Sequence, residues 1–269
     1  MRATLVLTVV IGLQLFSCVP NKQLIYLQNL EGNEPILDDS LINYNHSDEY
    51  RIQVNDVIDI QIHTTDLEMN EMFNIRPLMT MQTQQMAAAS GGDVFYITGH
   101  TVDINGRVDL PLLGEIQVAS KTLKEIKAEI STELKKFITN DDFYVRARLG
   151  GVRFSAIGEF QKPGKYVVLQ DRLTILEAVA HAGDLKIAAK RDEIILIRQY
   201  PEGTRIHRVN LNDRNLIKTP YYFIRPNDQI YAEPLRIREL GAGENVAQSL
   251  QLIITSVTAA ALILNLIIN

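Results

Sequence analysis

The chain has 269 residues, a formal net charge of −5 at pH 7 and a sequence pI near 5.6. This length is enough for two modest domains, each with its own hydrophobic core. The acidic balance, together with the lack of a basic patch with interleaved aromatic residues, argues against a nucleic-acid partner. A single cysteine excludes a disulfide framework within the chain.

The amino terminus has the pattern of a secretory signal peptide. Arg2 is followed by a mostly apolar run, Leu5 to Phe16, and a small residue then precedes Cys18. A positive n-region, an apolar h-region and a small residue at the cleavage point are typical of such signals. The sequence around Cys18 resembles a bacterial lipobox, which implies removal of residues 1–17 and acylation of the Cys18 thiol. Val19 after the cysteine resembles lipoproteins sent to the outer membrane, where acyl chains would hold the protein to membrane lipid.

The segment after the lipidation site is predicted to be a tether. Residues 18–47 are polar, with short apolar groups at 24–27 and 36–37. This pattern favours an extended tether or an edge strand. We expect the first folded domain to begin near residue 48.

The first module is predicted to span residues 48–149 and to begin with strands. Val57–Ile62 alternates between apolar and polar residues, which is typical of a half-buried strand. Asn105–Gly106 is the strongest short hairpin signal in the chain. It predicts a hairpin between strands at 101–104 and 107–110.

The first module is also predicted to contain one long helix. Thr122 with Glu125 three residues later forms a capping box. One apolar stripe follows it at helical spacing: Leu123, Ile126, Ile130, Leu134 and Phe137. The stretch Glu68–Gly92 is rich in Met, Gln and Ala and has neither period, which indicates a long insertion, either a loop or a weak helix.

The second module is predicted over residues 151–234. A strand at 154–159 leads to a second capping box, Thr174–Glu177, and the short helix ends at Ala182–Gly183. Several alternating strands follow, the last at 229–232. One helix across a small mixed sheet is a β-grasp-like arrangement. The predicted fold class is therefore α+β, with two small mixed-sheet modules.

The last segment, residues 245–269, is predicted to be a single C-terminal transmembrane helix. It contains no Asp, Glu, Lys or Arg. At 1.5 Å per residue, Val246–Ile268 would be about 34 Å long against a hydrocarbon core of about 30 Å. Asn245 with Gln248 indicates the helix start.

The polar residues of this helix follow one face, interrupted by Leu262. The candidate pore-lining residues on that face are Gln248, Gln251, Thr255, Thr258 and Asn265. A polar stripe must be hidden from lipid, against other helices or against water. The sequence allows a packing face within a dimer, a ring of helices around a wet lumen, or a plain tail anchor.

Several segments resemble the outer-membrane polysaccharide export proteins. YRIQVNDVIDIQI, VDINGRVDLPLLGEIQV and TLKEIKAEISTEL, at 50–62, 102–118 and 122–134, resemble the polysaccharide export domain of that family. FSAIGEFQKPGKYVVLQDRLTILEAVAHAGD and FIRPNDQIYAEP, at 154–184 and 223–234, look like its soluble-ligand-binding β-grasp domain.

The resemblance implies an architecture and partners. It implies homo-oligomeric rings whose carboxy-terminal helices form an outer-membrane pore, with the other domains enclosing a periplasmic vestibule. Polysaccharide would be the cargo, handed over by an inner-membrane polysaccharide copolymerase. The chain departs from longer family members in having one β-grasp repeat and the Glu68–Gly92 insertion.

No pattern predicts enzymatic chemistry. The five histidines are isolated, and none stands at a metal-ligand spacing from another. No nucleophile elbow or glycine-rich phosphate loop is present, so neither a cofactor nor a metal is predicted. The adjacent pairs Asp38–Asp39 and Asp141–Asp142, and Asp103 with Asp109, are interpreted as loop and strand-surface charges rather than as glycosidase carboxylates.

Three functions remain from the sequence. The first is a non-enzymatic channel that exports capsular or exopolysaccharide. The alternative is a membrane-anchored periplasmic polysaccharide-binding module without a pore. A polysaccharide-processing enzyme is the third, which the missing catalytic residues disfavour.

Overall fold

The fold was analysed in a computed structural model that describes residues 21–42, 49–74, 98–138, 142–235 and 246–268. In the last range it describes the side chains of residues 251–263 other than Ile253. The helices are α1 (Leu67–Phe73), α2 (Leu123–Leu134), α3 (Ile175–His181) and α4 (Val246–Ile268), with 3-10 turns η1 (Asn21–Gln23), η2 (Arg191–Glu193) and η3 (Arg214–Lys218). The strands are β1 (Val57–Thr64), β2 (His100–Thr101), β3 (Arg107–Leu110), β4 (Gly114–Gln117), β5 (Phe143–Leu149), β6 (Val152–Gly158), β7 (Gly164–Val168), β8 (Leu173–Thr174), β9 (Ile194–Tyr200), β10 (Gly203–Val209), β11 (Phe223–Ile224) and β12 (Asp228–Ala232).

The first module packs helices α1 and α2 on a three-stranded antiparallel sheet with the order β2-β1-β5. The capping box predicted at Thr122 is present, because the Thr122 hydroxyl accepts from the Glu125 amide and the Glu125 carboxylate accepts from the Thr122 amide. Ile126, Ile130 and Leu134 of α2 are fully buried against the sheet. Phe137 was expected on the same stripe, but it lies beyond the helix end and is 50% exposed.

The hairpin of the first module closes at a different turn from the one predicted. Asn105–Gly106 does form a turn, in which Gly106 has φ +79°. However, β3 pairs with β4, and the chain reverses at residues 111–113. The expected hairpin between 101–104 and 107–110 was therefore wrong, because the Gly106 carbonyl accepts from the amides of the segment after β4 instead.

The second module is a five-stranded mixed sheet with the order β10-β9-β12-β6-β7 and one short helix. Its central pair, β12 and β6, is parallel, whereas the other neighbours are antiparallel. The second predicted capping box is present, with the Thr174 hydroxyl accepting from the Glu177 amide. Helix α3 buries Ile175 and Val179 in the same core as the sheet. The mixed α+β class is thus confirmed.

The amino-terminal segment, for which the sequence predicted an extended tether or an edge strand, is held on the second module over its described residues, where Gln28 forms an isolated parallel bridge with Asp213. Leu27 and Gln28 donate backbone hydrogen bonds to the carbonyls of Leu211 and Asn212. The Tyr26 hydroxyl donates to Asp184 at 2.6 Å. We call residues 21–42 the strap. Along the chain, the first module therefore lies between the strap and the second module, to which the strap binds.

The carboxy-terminal helix α4 runs from Val246 to Ile268. Within the described part of the chain, no helix is both long enough and apolar enough to cross a membrane. The transmembrane helix predicted over 245–269 therefore finds no support among these residues. Cys18 and most of the Glu68–Gly92 insertion lie outside the described residues, while the first residues of that insertion, Glu68–Phe73, form all of α1 except Leu67.

Candidate functional site: the cleft between the modules

A buried carboxylate joins the two modules. Asp56, in the turn before β1, is 1% exposed. Its carboxylate accepts hydrogen bonds from the Tyr50 hydroxyl at 2.7 Å, the Gln53 backbone amide at 2.8 Å and the Asn227 side-chain amide at 3.1 Å. Asn227 belongs to the second module, in the left-handed turn before β12. We call Tyr50, Asp56 and Asn227 the clasp.

The clasp is electrostatically costly as well as hydrogen-bonded. Burial raises the pKa of the Asp56 carboxyl, while the hydrogen bonds from Tyr50 and the Gln53 amide act in the opposite direction. Burial and the neighbouring Asp56 also raise the pKa of the Tyr50 hydroxyl, which therefore keeps its proton and donates it. A buried carboxylate persists only where donors surround it, and the second module supplies one of them.

A buried ion pair positions the second module's half of the clasp. The Arg198 guanidinium donates to both oxygens of Asp228, at 3.0 Å and 2.7 Å, and both side chains are almost fully buried. Arg198 also donates to the carbonyls of Pro220 and Phe223. Asp228 also accepts a hydrogen bond from the Arg225 backbone amide. The ion pair therefore holds the turn that carries Arg225 and Asn227 in place.

A cleft of about 910 Å³ opens beside the clasp. Both modules line it: Glu49, Tyr50, Arg51, Ile52, Gln53, Ser120, Thr122, Lys124, Glu125 and Ala128 from the first, and Tyr200, Pro201 and Arg225 from the second. Arg51 donates to Glu125 at 3.2 Å, and the Arg225 guanidinium lies 5.9 Å from the centre of the Tyr200 ring. Paired charges and phenol groups suit a hydroxyl-rich ligand better than an apolar one.

The candidate pore-lining residues lie along α4. The Thr255 hydroxyl donates to the Gln251 and Leu252 carbonyls at 2.9 and 3.0 Å, and the Thr258 hydroxyl donates to the Ile254 carbonyl at 2.6 Å. These protons are therefore used within the helix, and each hydroxyl oxygen is left to accept. The side chains of Gln248 and Asn265 lie outside the described residues. The pore-lining role remains a prediction for all five residues.

Sequence reasoning missed the clasp and the cleft. Asn55–Asp56 has the composition of a turn, and Asn227–Asp228 immediately precedes the last predicted strand. Nothing local to either segment indicates that Asp56 and Asn227 meet, because 171 residues separate them along the chain. Among the described residues, no group of His, Cys, Asp or Glu is arranged to hold a metal ion.

Comparison with known proteins identifies the first module. Residues 45–148 match the family model described as polysaccharide biosynthesis/export protein. The resemblance to polysaccharide export proteins is confirmed. This match includes Tyr50 and Asp56 of the clasp, helices α1 and α2, and the first module's strands as far as Arg148 of β5.

Two relatives are named as polysaccharide export outer membrane proteins. Over 98 residues the chain is 30% identical to the EPS I polysaccharide export outer membrane protein EpsA of Ralstonia nicotianae. This alignment covers 36% of this chain and 26% of the relative. Over 145 residues it is 23% identical to the EPS I polysaccharide export outer membrane protein EpsA of Ralstonia solanacearum. This alignment covers 51% of this chain and 36% of the relative. The aligned parts thus span about a quarter to a third of these polysaccharide export proteins.

Proposed function

We propose that this protein is an outer-membrane lipoprotein that exports capsular or exopolysaccharide from the periplasm as an oligomeric channel. The observation that carries the proposal is the polysaccharide export match over residues 45–148. The names of both relatives support an outer-membrane location. The second module, by its mixed sheet and single helix, would be the β-grasp-like ligand-binding domain of residues 151–234.

The membrane attachment in this proposal is the Cys18 lipid, and helix α4 would line the pore in the assembled ring. The α4 sequence lacks charged residues from Val246 onward, and the described apolar residues opposite its polar stripe, Leu252, Val257 and Ile263, are exposed in the single chain. Exposed apolar groups on one side, with amides and hydroxyls at helical spacing on another, suit a helix between lipid and a wet lumen.

The stripe on α4 would serve a sugar polymer without trapping it. Gln248, Gln251 and Asn265 would offer amide donors, while Thr255 and Thr258, whose protons are used within the helix, would offer oxygen acceptors. No fixed charge lies on the stripe, so a passing chain would meet many weak contacts. The proposal includes no catalytic step and no cofactor. An inner-membrane polysaccharide copolymerase is the expected supplier of cargo.

Complementation in the source bacterium tests the function. A strain lacking this chain should retain polymer inside the envelope, and the intact chain should restore surface polysaccharide. Replacing Asn265 and Thr258 together by Leu should abolish export while lipidation and protein abundance stay normal, because the lumen would lose polar contacts. Replacing Leu252 and Ile254 by Val is the matched control. Normal surface polysaccharide in the deletion strain would exclude the function.

The alternative is a membrane-anchored periplasmic binding module without a pore. The observation that favours it is the polar cleft between the modules, which would hold a saccharide whether or not the chains assemble. Under this alternative the Asn265 and Thr258 double variant would export normally, and the solubilised protein would be a monomer or dimer.

A further inference from the structure

The sheet of the first module has a second face that the fold leaves polar. Ile58, Ile60, Ile62 and Val145 point into the core. The alternate residues of the paired strands lie opposite one another in register, as His63 with Tyr144, Gln61 with Arg146, and Asp59 with Arg148. Residues two apart on a strand share a face, so these six form two parallel rows. We call them the β1–β5 face.

The β1–β5 face carries one hydrogen-bonding group without a partner. The Nε atom of Arg146 is buried and has no hydrogen-bond partner in the described part of the chain. Beside it, Gln61 donates to Asp59 at 2.7 Å, which holds the buried carboxylate in place. A buried N–H group without an acceptor costs free energy, so a ligand oxygen there would be favoured.

A small pocket ends the face beside Arg146. It has a volume of about 140 Å³ and is lined on one side by Asp59, Arg146, Arg148 and Leu149, and on the other by Gly151, Leu169, Gln170 and Asp171. Gly151 lets the two sides approach, because its φ is +91° and a Cβ atom there would lie 2.8 Å from the Val168 carbonyl oxygen. A side chain at that position would push the pocket wall away.

An aromatic ring stands at the other end of the same row. Tyr144 is 56% exposed, and the Lys127 ammonium lies 4.7 Å from its ring centre. Arg146 and Arg148 follow it at the two-residue spacing of a strand, about 6.6 Å between successive positions. An aromatic surface followed by fork-shaped donors matches a sugar chain, whose C–H faces stack on rings and whose oxygens accept from guanidinium groups.

We infer that the β1–β5 face binds a saccharide segment, with one sugar stacked on Tyr144 and an oxygen of a neighbouring sugar accepting from Arg146 in the pocket. The inference rests on the proposed export function and assigns cargo contact to the first module. Carboxylates and guanidinium groups together can pair with the donors and acceptors of sugar hydroxyls. A packing surface for a second copy would instead be depleted of charge at its centre.

Binding to the full-length, detergent-solubilised protein tests the inference. Maltohexaose and oligogalacturonate serve as an uncharged and an acidic probe in titration calorimetry. At least one should bind, and Arg146→Gln or Tyr144→Ala should weaken that binding about tenfold, as expected for the loss of one charged hydrogen bond or one stacking contact. Arg107→Gln is the matched control, because Arg107 is an exposed strand arginine of the same module that pairs with Glu115.

Three outcomes would overturn the inference. The first is that neither probe binds the intact protein. The second is that Arg146→Gln and Tyr144→Ala bind the saccharide probe as tightly as the control Arg107→Gln does. The third is a loss of oligomer mass in Tyr144→Ala with saccharide binding unchanged, which would identify the face as a contact between copies.

Export assays separate this inference from the proposed function. If the deletion strain loses surface polysaccharide and a chain carrying both Arg146→Gln and Tyr144→Ala restores it fully, the β1–β5 face has no role in export and the channel proposal stands. If the deletion strain exports normally, the proposed function fails first.

Discussion

Asp56 is a buried carboxylate that accepts hydrogen bonds from both modules. Its carboxylate receives donors from both modules, and the Asn227 amide is the only contact among its three described donors that crosses between them. The clasp is therefore a polar joint rather than an extended apolar interface. Polar joints of this kind are specific in geometry because each donor must meet its acceptor.

The pH dependence of stability is predicted to reveal Asp56. Burial raises the pKa of its carboxyl in the folded chain above the ordinary value, so the folded state takes up a proton more readily than the unfolded state does. Its contribution to the free energy of unfolding should therefore increase as pH falls from the raised pKa towards the ordinary one. Urea unfolding of the intact chain and of Asp56→Asn across this range measures the difference.

The intact chain should gain stability relative to Asp56→Asn on acidification, because only the intact chain carries the titrating carboxyl. Asp109→Asn is the control, since Asp109 is exposed on β3. A difference that grows as pH rises would contradict the assigned direction.

At the scale of elements, the capping boxes are the local signals that govern helix starts. The Thr122 side chain is nearly buried and accepts from the Glu125 amide, and the backbone hydrogen bond from Thr122 to the Glu125 carboxylate holds the pKa of that carboxyl below its usual value. The same geometry recurs at Thr174 and Glu177. Each box satisfies amide groups that the first helical turn leaves unpaired.

Removing the first cap should destabilise the fold by about 1 kcal/mol. In Thr122→Ala, the Glu125 amide loses its acceptor, and the free energy of unfolding measured in urea should fall by that amount. Thr132→Ala in the same helix is the matched control, because Thr132 is exposed and donates only to the Ala128 carbonyl. Equal losses in the two variants would show that the cap contributes nothing of its own.

The strap is attached by backbone hydrogen bonds, by Tyr26 and Leu27 packed against the second module's core, and by the side chain of Arg214. Arg214 donates to the carbonyls of Leu27 and Ile36 and to the Asp38 carboxylate. Replacing Arg214 by Ala should release the strap while both modules stay folded, because the two hydrophobic cores do not depend on this side chain. Hydrogen exchange should then quicken in residues 27–38.

Arg208→Ala is the control for the strap experiment, since Arg208 lies on β10 and pairs with Glu193 rather than with the strap. Exchange in residues 27–38 should stay slow in that variant. If Arg214→Ala leaves exchange in the strap unchanged, other contacts, such as Tyr26 with Asp184, hold it instead.

Local patterns predicted local elements and missed long-range ones. The capping boxes at Thr122 and Thr174 and the alternating strand at Val57–Ile62 were confirmed, because each depends on neighbours within a few residues. The Asn105–Gly106 hairpin was wrong, since a turn signal fixes the turn but not which strands pair. The strap was missed because its hydrogen-bonding partners lie near residue 212, far along the chain.

At the scale of the molecule, the order of parts along the chain has a consequence for the proposed channel. The strap binds the second module, so Cys18, which precedes the strap by a few residues, would tie the lipid to that module. Helix α4 also follows the second module in the chain. In chain order, Cys18 thus precedes the strap and α4 follows the second module, whereas the polysaccharide export match covers the first module between them.

In the proposed channel, the chains assemble into a ring through which the polysaccharide passes. Rotationally averaged electron-microscope images of the full-length, detergent-solubilised protein test it most directly. We expect closed rings with a central opening, with the α4 segments gathered at one end. A uniform population of monomers or dimers, seen under conditions in which Cys18 is acylated, would contradict the account.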